Sequence, residues 1–183
     1  MPRTDVAGTF YRHARVGLRE LTGSNGGGRW GPPGGFEVLY LGRPEHSIVI
    51  EAHRHLVEAS EGMRPELVGP RDLIMVEVDV TNVVDLRTAE AQRAVDLSTE
   101  VLHSAARDPE AYAECQQLGR AAHQLEAHGI LAPAAGGLGG ETLALFPAHL
   151  PINEHPSVLG VRTWASLPPD PRRMRLAEGT QSG

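Results

Sequence analysis

The chain has 183 residues, 40% of them hydrophobic and 22% charged, which suits one compact domain with a core and leaves too little for a second full domain. A formal net charge of -6 and a pI near 5.8 argue against a nucleic-acid or membrane surface as the main partner, so any anion site has to be local. The single cysteine, Cys115, excludes an intrachain disulfide, no apolar run approaches the ~18 residues of a membrane span, and no apolar leader core is evident, so the expected compartment is the cytoplasm.

Thr9-Phe10-Tyr11-Arg12-His13-Ala14 alternates as a first strand, and Phe36-Glu37-Val38-Leu39-Tyr40-Leu41 as a second. Between them, Gly23 to Gly35 holds seven glycines in thirteen positions, with Arg29 and Trp30 in the middle. Pro44 stands at a first helical turn, and Ile48, Ala52 and Leu56 recur at i, i+4 and i+8 to give that helix a buried face, with Glu51 at its edge one turn from Ser47 and His55. Asp72 to Val80 alternates as a strand that Val83-Val84-Asp85-Leu86 extends or follows. Asp108-Pro109 reads as a cap and first turn, after which Tyr112, Cys115, Leu118, Ala122 and Leu125 mark one face of a helix closed by His128-Gly129. Ile130-Leu131-Ala132, Thr142 to Phe146 and Gly160 to Ala165 are short strands, the first two separated by the turn from Gly136 to Gly140. The fold class expected is α+β, a single compact domain over residues 1-166 with a mixed, mostly antiparallel sheet and flanking helices, followed by a Pro-rich, flexible tail over 167-183.

An arginine set among glycines is suited to phosphate, because its planar fork makes paired charge-assisted hydrogen bonds while neighbouring N–H groups point inward. Arg29 is the first such group and Arg12 the second, if the strand of Arg12 pairs with that of Tyr40; the plain alternative is that Arg29 pairs with a carboxylate and the glycines form a long turn. Tyr40 is either a core ring or a stacking surface, and Glu51 either the wet edge of a helix or a carboxylate that steadies oxocarbenium-like charge during cleavage of an N-glycosidic bond. His13 either holds a ribose hydroxyl or is a partly buried strand residue. His53-Arg54-His55 invites a metal reading, but the two histidines point to different helix faces and no ligand set completes a site, so no metal is expected. The glycines at 136–140 precede a strand-like segment, which removes the dinucleotide-fingerprint context.

The order Tyr11-Arg12, Gly27-Gly28-Arg29-Trp30 with Pro32-Pro33-Gly34, Leu39-Tyr40-Leu41, Glu51, Cys115-Gln116 and Gly129 to Pro133 resembles the RES-domain proteins, bacterial toxins of toxin-antitoxin pairs, from about Gly8 to Phe146. The resemblance implies an ADP-ribosyltransferase-like fold and degradation of NAD by splitting the nicotinamide-ribose bond, with phosphate or water as acceptor. It implies catalytic roles for Glu51, Arg29 and Tyr40, a pocket that includes Arg12 and His13, NAD as substrate with inorganic phosphate as co-substrate and no prosthetic group, and an antitoxin protein that covers the active site. Two departures are evident: the position after Gly-Gly-Arg-Trp, often asparagine in the family, is Gly31, and the family's Pro-Ser-Ala is Pro133-Ala134-Ala135 here, with Thr142, Ser104 and Asn25 as available hydroxyl- or amide-bearing residues. The alternatives are an ADP-ribosyltransferase that modifies a macromolecule and a catalytically weak NAD- or nucleotide-binding protein of the same fold.

Overall fold

The computed structural model describes residues 1–104 and 109–173. Among these residues, one sheet contains β1 (Arg3–Arg15), β2 (Leu39–Arg43), β3 (Arg71–Asp85), β4 (Gly129–Pro133), β5 (Glu141–Leu145) and β6 (Ser157–Trp164). Hydrogen bonding runs β1-β2-β5-β4-β3-β6, and an additional β1–β3 pairing closes the first five of these strands into a barrel. The length of β3 makes this closure work. One side of it pairs with β1 along nearly the whole strand, while the other takes β6 over Arg71 to Glu77 and β4 over Val83 to Asp85. Only the β3–β4 pair is parallel, so the sheet is mixed and mostly antiparallel.

Period-two alternation divides the strands between two environments. Phe10, Leu39, Leu41, Ile74, Val76, Leu143 and Leu145 belong to one buried cluster inside the barrel. The intervening positions face outward. Ile130, Ala132, Ala144 and Phe146 meet Leu118 and Ala122 of a long helix, and Leu73 meets Ile48, Val49 and Ala52 of another. Those helices are α4 (Pro109–Gln124) and α1 (Glu45–His53); α2 (Ala89–Arg93) and α3 (Thr99–His103) are short and capped by Thr88 and Ser98, whose side chains accept from the N–H groups of Ala91 and Val101.

Several expectations are refined. The segments 72–80 and 83–86 form one continuous strand, even though Asn82 sits at φ +55°. The cap assigned to Asp108 lies outside the described residues. α4 ends at Gln124 rather than beside His128: Glu126 turns left-handed at φ +52° so that the chain can enter β4, and Leu125 is left 60% exposed. α1 continues into a π-helical turn over Arg54–Glu58. The Pro-rich segment, expected to be loose, is attached over its described part: Leu167 is buried against α1, the Pro168 carbonyl lies 2.8 Å from His53 Nε2, and Arg172 binds both Asp170 and Glu58.

Candidate active site

A cleft of about 710 Å³ opens on the outer face of β2 and β5. Its floor carries Tyr40 and Gly42, which pair with Ala144 and Thr142. One wall is the polar face of α1 and the π turn, with Ser47, Glu51, Arg54 and His55; the other is the Gly-rich loop with Arg29, backed by Tyr112 and Gln116 of α4; the turn at Pro133 to Gly136 forms the rim.

The loop wall is held by side chains that reach its backbone. The Trp30 N–H donates to the Tyr40 hydroxyl at 2.9 Å, and Gln116 Nε2 donates to the Gly28 carbonyl at 2.9 Å. Two close approaches require glycine. A Cβ on Gly28 would stand 2.6 Å from the Tyr40 hydroxyl, and one on Gly119 of α4 would stand 1.9 Å from the Trp30 carbonyl oxygen. With α4 pressed against its backbone and Trp30 buried, the loop is a fixed wall. Burial pushes the Tyr40 pKa up to about 12, outweighing the Trp30 hydrogen bond, so the hydroxyl is neutral at physiological pH.

Arg29 has carbonyl partners where a carboxylate partner was the plain alternative. Its Nη1 donates to the Val101 carbonyl at 2.7 Å and its Nη2 to the Ser104 carbonyl at 3.1 Å, and its guanidinium lies 5.0 Å from the centre of the Tyr112 ring. Arg54 comes from the facing wall and donates to the same Ser104 carbonyl at 2.9 Å. Among the described residues two carboxylates line the cleft. Glu141 is bound by Arg43 at 2.7 Å and Arg87 at 3.4 Å, whereas Glu51 has His55 Nδ1 at 3.7 Å and no guanidinium within ion-pairing distance among the described residues. Glu51 is therefore the lining carboxylate that no described arginine neutralises.

The structure thus brings Arg29, Tyr40 and Glu51 to one cleft and leaves Arg12 and His13 off its lining. Arg12 donates to the Thr22 carbonyl at 3.1 Å; burial lowers its pKa, and Glu51 acts on it in the opposite sense from beyond contact. His13 accepts at Nδ1 from Arg71 at 3.1 Å, so its proton is on Nε2, and burial followed by the Arg71 charge pushes its pKa down to about 3. Arg54, Tyr112 and Glu141 are among the lining residues whose part was not foreseen. Arg54 stands at i+3 from Glu51, a spacing that helical periodicity offers, whereas Tyr112 falls among the apolar positions of its helix and carries no local sign of a cleft role. Beside Ala134 the nearby hydroxyl is that of Ser47, since a Cβ on Gly140 would lie 1.9 Å from Ser47 Oγ and 3.2 Å from Ala134 Cβ. Thr142 also lines the cleft, Asn25 does not, and the Ser104 hydroxyl accepts from Arg29 at 3.2 Å.

Comparison with known proteins places this geometry in a family. The chain is 32% identical over 146 residues to the NAD(+) phosphorylase MbcT of Mycobacterium bovis and of Mycobacterium tuberculosis, covering 75% of this chain and 76% of each relative. It superimposes with a TM-score of 0.73 and 26% identity on a chain of the crystal structure of the M. tuberculosis MbcT-MbcA toxin-antitoxin complex, over 89% of this chain and 87% of that one. The RES domain matches residues 5–167, and the chain belongs to the RES-domain family.

Proposed function

We propose that the chain is an NAD phosphorylase and the toxin of a toxin-antitoxin pair, built on an ADP-ribosyltransferase-like variant of the barrel. The observation that carries this reading is Glu51, a carboxylate free of any described guanidinium, in one cleft with two arginines. Nicotinamide is a cation in NAD and leaves neutral, taking the electron pair of the N-glycosidic bond. Positive charge then grows on the ribose, where the Glu51 carboxylate stabilises it in a partly dry site. A phosphate oxygen forms the new bond to the anomeric carbon, and the products are nicotinamide and ADP-ribose phosphate; with water as acceptor the product is ADP-ribose. Tyr40 supplies a ring wall and locks the loop that carries Arg29, so the phosphates meet a preorganised surface. Arg12 and His13 act from behind the cleft, one through its charge and the other as a neutral partner of Arg71. The likeness to a chain of a toxin-antitoxin complex supports an antitoxin that covers the open side of the cleft.

Incubating the purified protein with NAD, with and without inorganic phosphate, tests this reading: nicotinamide release that depends on phosphate, with ADP-ribose phosphate as co-product, is expected, and intact NAD refutes it. Glu51→Gln is expected to lower kcat by ~100-fold or more while NAD binding, measured by calorimetry, stays within about threefold. An unchanged rate would remove Glu51 from the chemistry.

A further inference from the structure

Arg29 and Arg54 reach the cleft from opposite walls and meet at a single acceptor, the Ser104 carbonyl, at 3.1 and 2.9 Å. Such a meeting costs energy unless something offsets it, because two like charges share one neutral oxygen in a partly buried place. Burial lowers the Arg54 pKa, and the charge of Arg29 lowers it further. Among the described residues no carboxylate pairs with either guanidinium. Glu58, one turn beyond Arg54, is turned to Arg172 instead. The groups that do hold the two side chains are carbonyl oxygens, the Ser104 hydroxyl, the Cys115 sulfur and the Tyr112 ring; they orient the forks without cancelling their charge. Arg54 Nε and Nη1 bind no acceptor among the described residues, and both arginines line the open cleft.

Oriented guanidiniums with unspent N–H groups and uncancelled charge are what an oxyanion needs. We propose that Arg54, together with Arg29, forms a phosphate-binding subsite of this cleft that takes a phosphate oxyanion between the two walls. This rests on the NAD-cleaving reading for the source of the anion, either the free phosphate that accepts the ribosyl group or a phosphate of the dinucleotide. The position of Arg54 three residues after Glu51 on one helical face sets the subsite beside the carboxylate, where an anion faces the developing ribosyl cation.

The test is steady-state kinetics with both substrates varied, for the wild type, Arg54→Gln and Arg54→Lys. Arg54→Gln is expected to raise one KM by about tenfold or more, and Arg54→Lys to recover part of it by keeping the charge without the fork. A rise confined to the phosphate KM assigns the subsite to the free acceptor; a rise confined to the NAD KM assigns it to the dinucleotide. A second measurement needs no kinetic variant: the arginine Nε–H resonances of the wild-type protein are followed by NMR during titration with inorganic phosphate and, separately, with pyrophosphate. A shift of the Arg54 resonance with either anion supports the subsite. Unmoved KM values with an unmoved Arg54 resonance overturn it, even in a protein that cleaves NAD. A shifted resonance in a protein that leaves NAD intact keeps the subsite and overturns the NAD reading.

Discussion

The barrel interior and the cleft wall are built on different physical terms. Inside the barrel, alternating aliphatic side chains from five strands fill the space and the ladder satisfies the backbone, so each residue contributes mainly through volume. The loop wall has no such ladder. Beyond the Ser24–Val38 bridge and the turn bonds within the loop, it depends on the Trp30 N–H donating to the Tyr40 hydroxyl, on Gln116 donating to the Gly28 carbonyl and on the close approach of Gly119, so each residue contributes through position. The barrel should govern stability and the wall should govern function.

The strongest way to break that division is Gly119→Ala. The new methyl would meet the Trp30 carbonyl at 1.9 Å, so α4 or the loop must move by more than an ångström. We expect NAD turnover to fall by ~100-fold, with nearly the wild-type circular dichroism spectrum; retained turnover would show that the wall tolerates displacement. Leu143→Ala, inside the barrel, is expected to lower the unfolding free energy by ~2–5 kcal/mol in chemical denaturation, with kcat unchanged below the melting transition. Tyr40→Phe links the two regions. It leaves the Trp30 N–H without its partner, which costs about 1–3 kcal/mol in stability and is expected to raise the KM for NAD as the loop loosens.

The smallest effect concerns His13. Its pKa is near 3 in the folded protein and 6.5 unfolded, so the unfolded chain takes the proton first as pH falls. Its contribution to stability is complete above pH 6.5 and declines from there toward about pH 3. His13→Gln should flatten the stability profile in that window in pH-dependent thermal melts, and an unaltered slope would mean that His13 is protonated in the fold. Asp72 acts lower on the scale: hydrogen bonds from Thr163 and the Gly17 N–H hold its carboxyl below the ordinary 3.8, so its support is lost only as pH falls below that value.

The elements that declare themselves in a single segment were legible. The run from Asp72 to Val80 could hardly be other than a strand, and the spacing of Ile48 and Ala52 marks the buried face of α1. Arg29, Tyr40 and Glu51 were nameable because the glycines, the ring and the carboxylate are unusual where they stand. Arg54 was not, since its significance depends on the carbonyl it shares with Arg29, which comes from a loop distant in sequence. Nor could Arg12 be placed, because strand parity does not say which end of a barrel a side chain reaches.

By itself the sequence determined the class of fold, the two helical faces, the Gly-rich loop and the order of residues that marks the RES domain, all of which depend on local periodicity or on fixed spacing along the chain. Tertiary structure decided that the sheet closes, since a single strand long enough to serve β1 on one side and both β4 and β6 on the other reveals itself only when paired. It also decided which charges are spent. Among the described residues, Glu141 is neutralised by Arg43 and Arg87 while Glu51 has no arginine partner and Arg29 and Arg54 have no carboxylate partner, because charge is cancelled through space and these partners lie far apart in the chain.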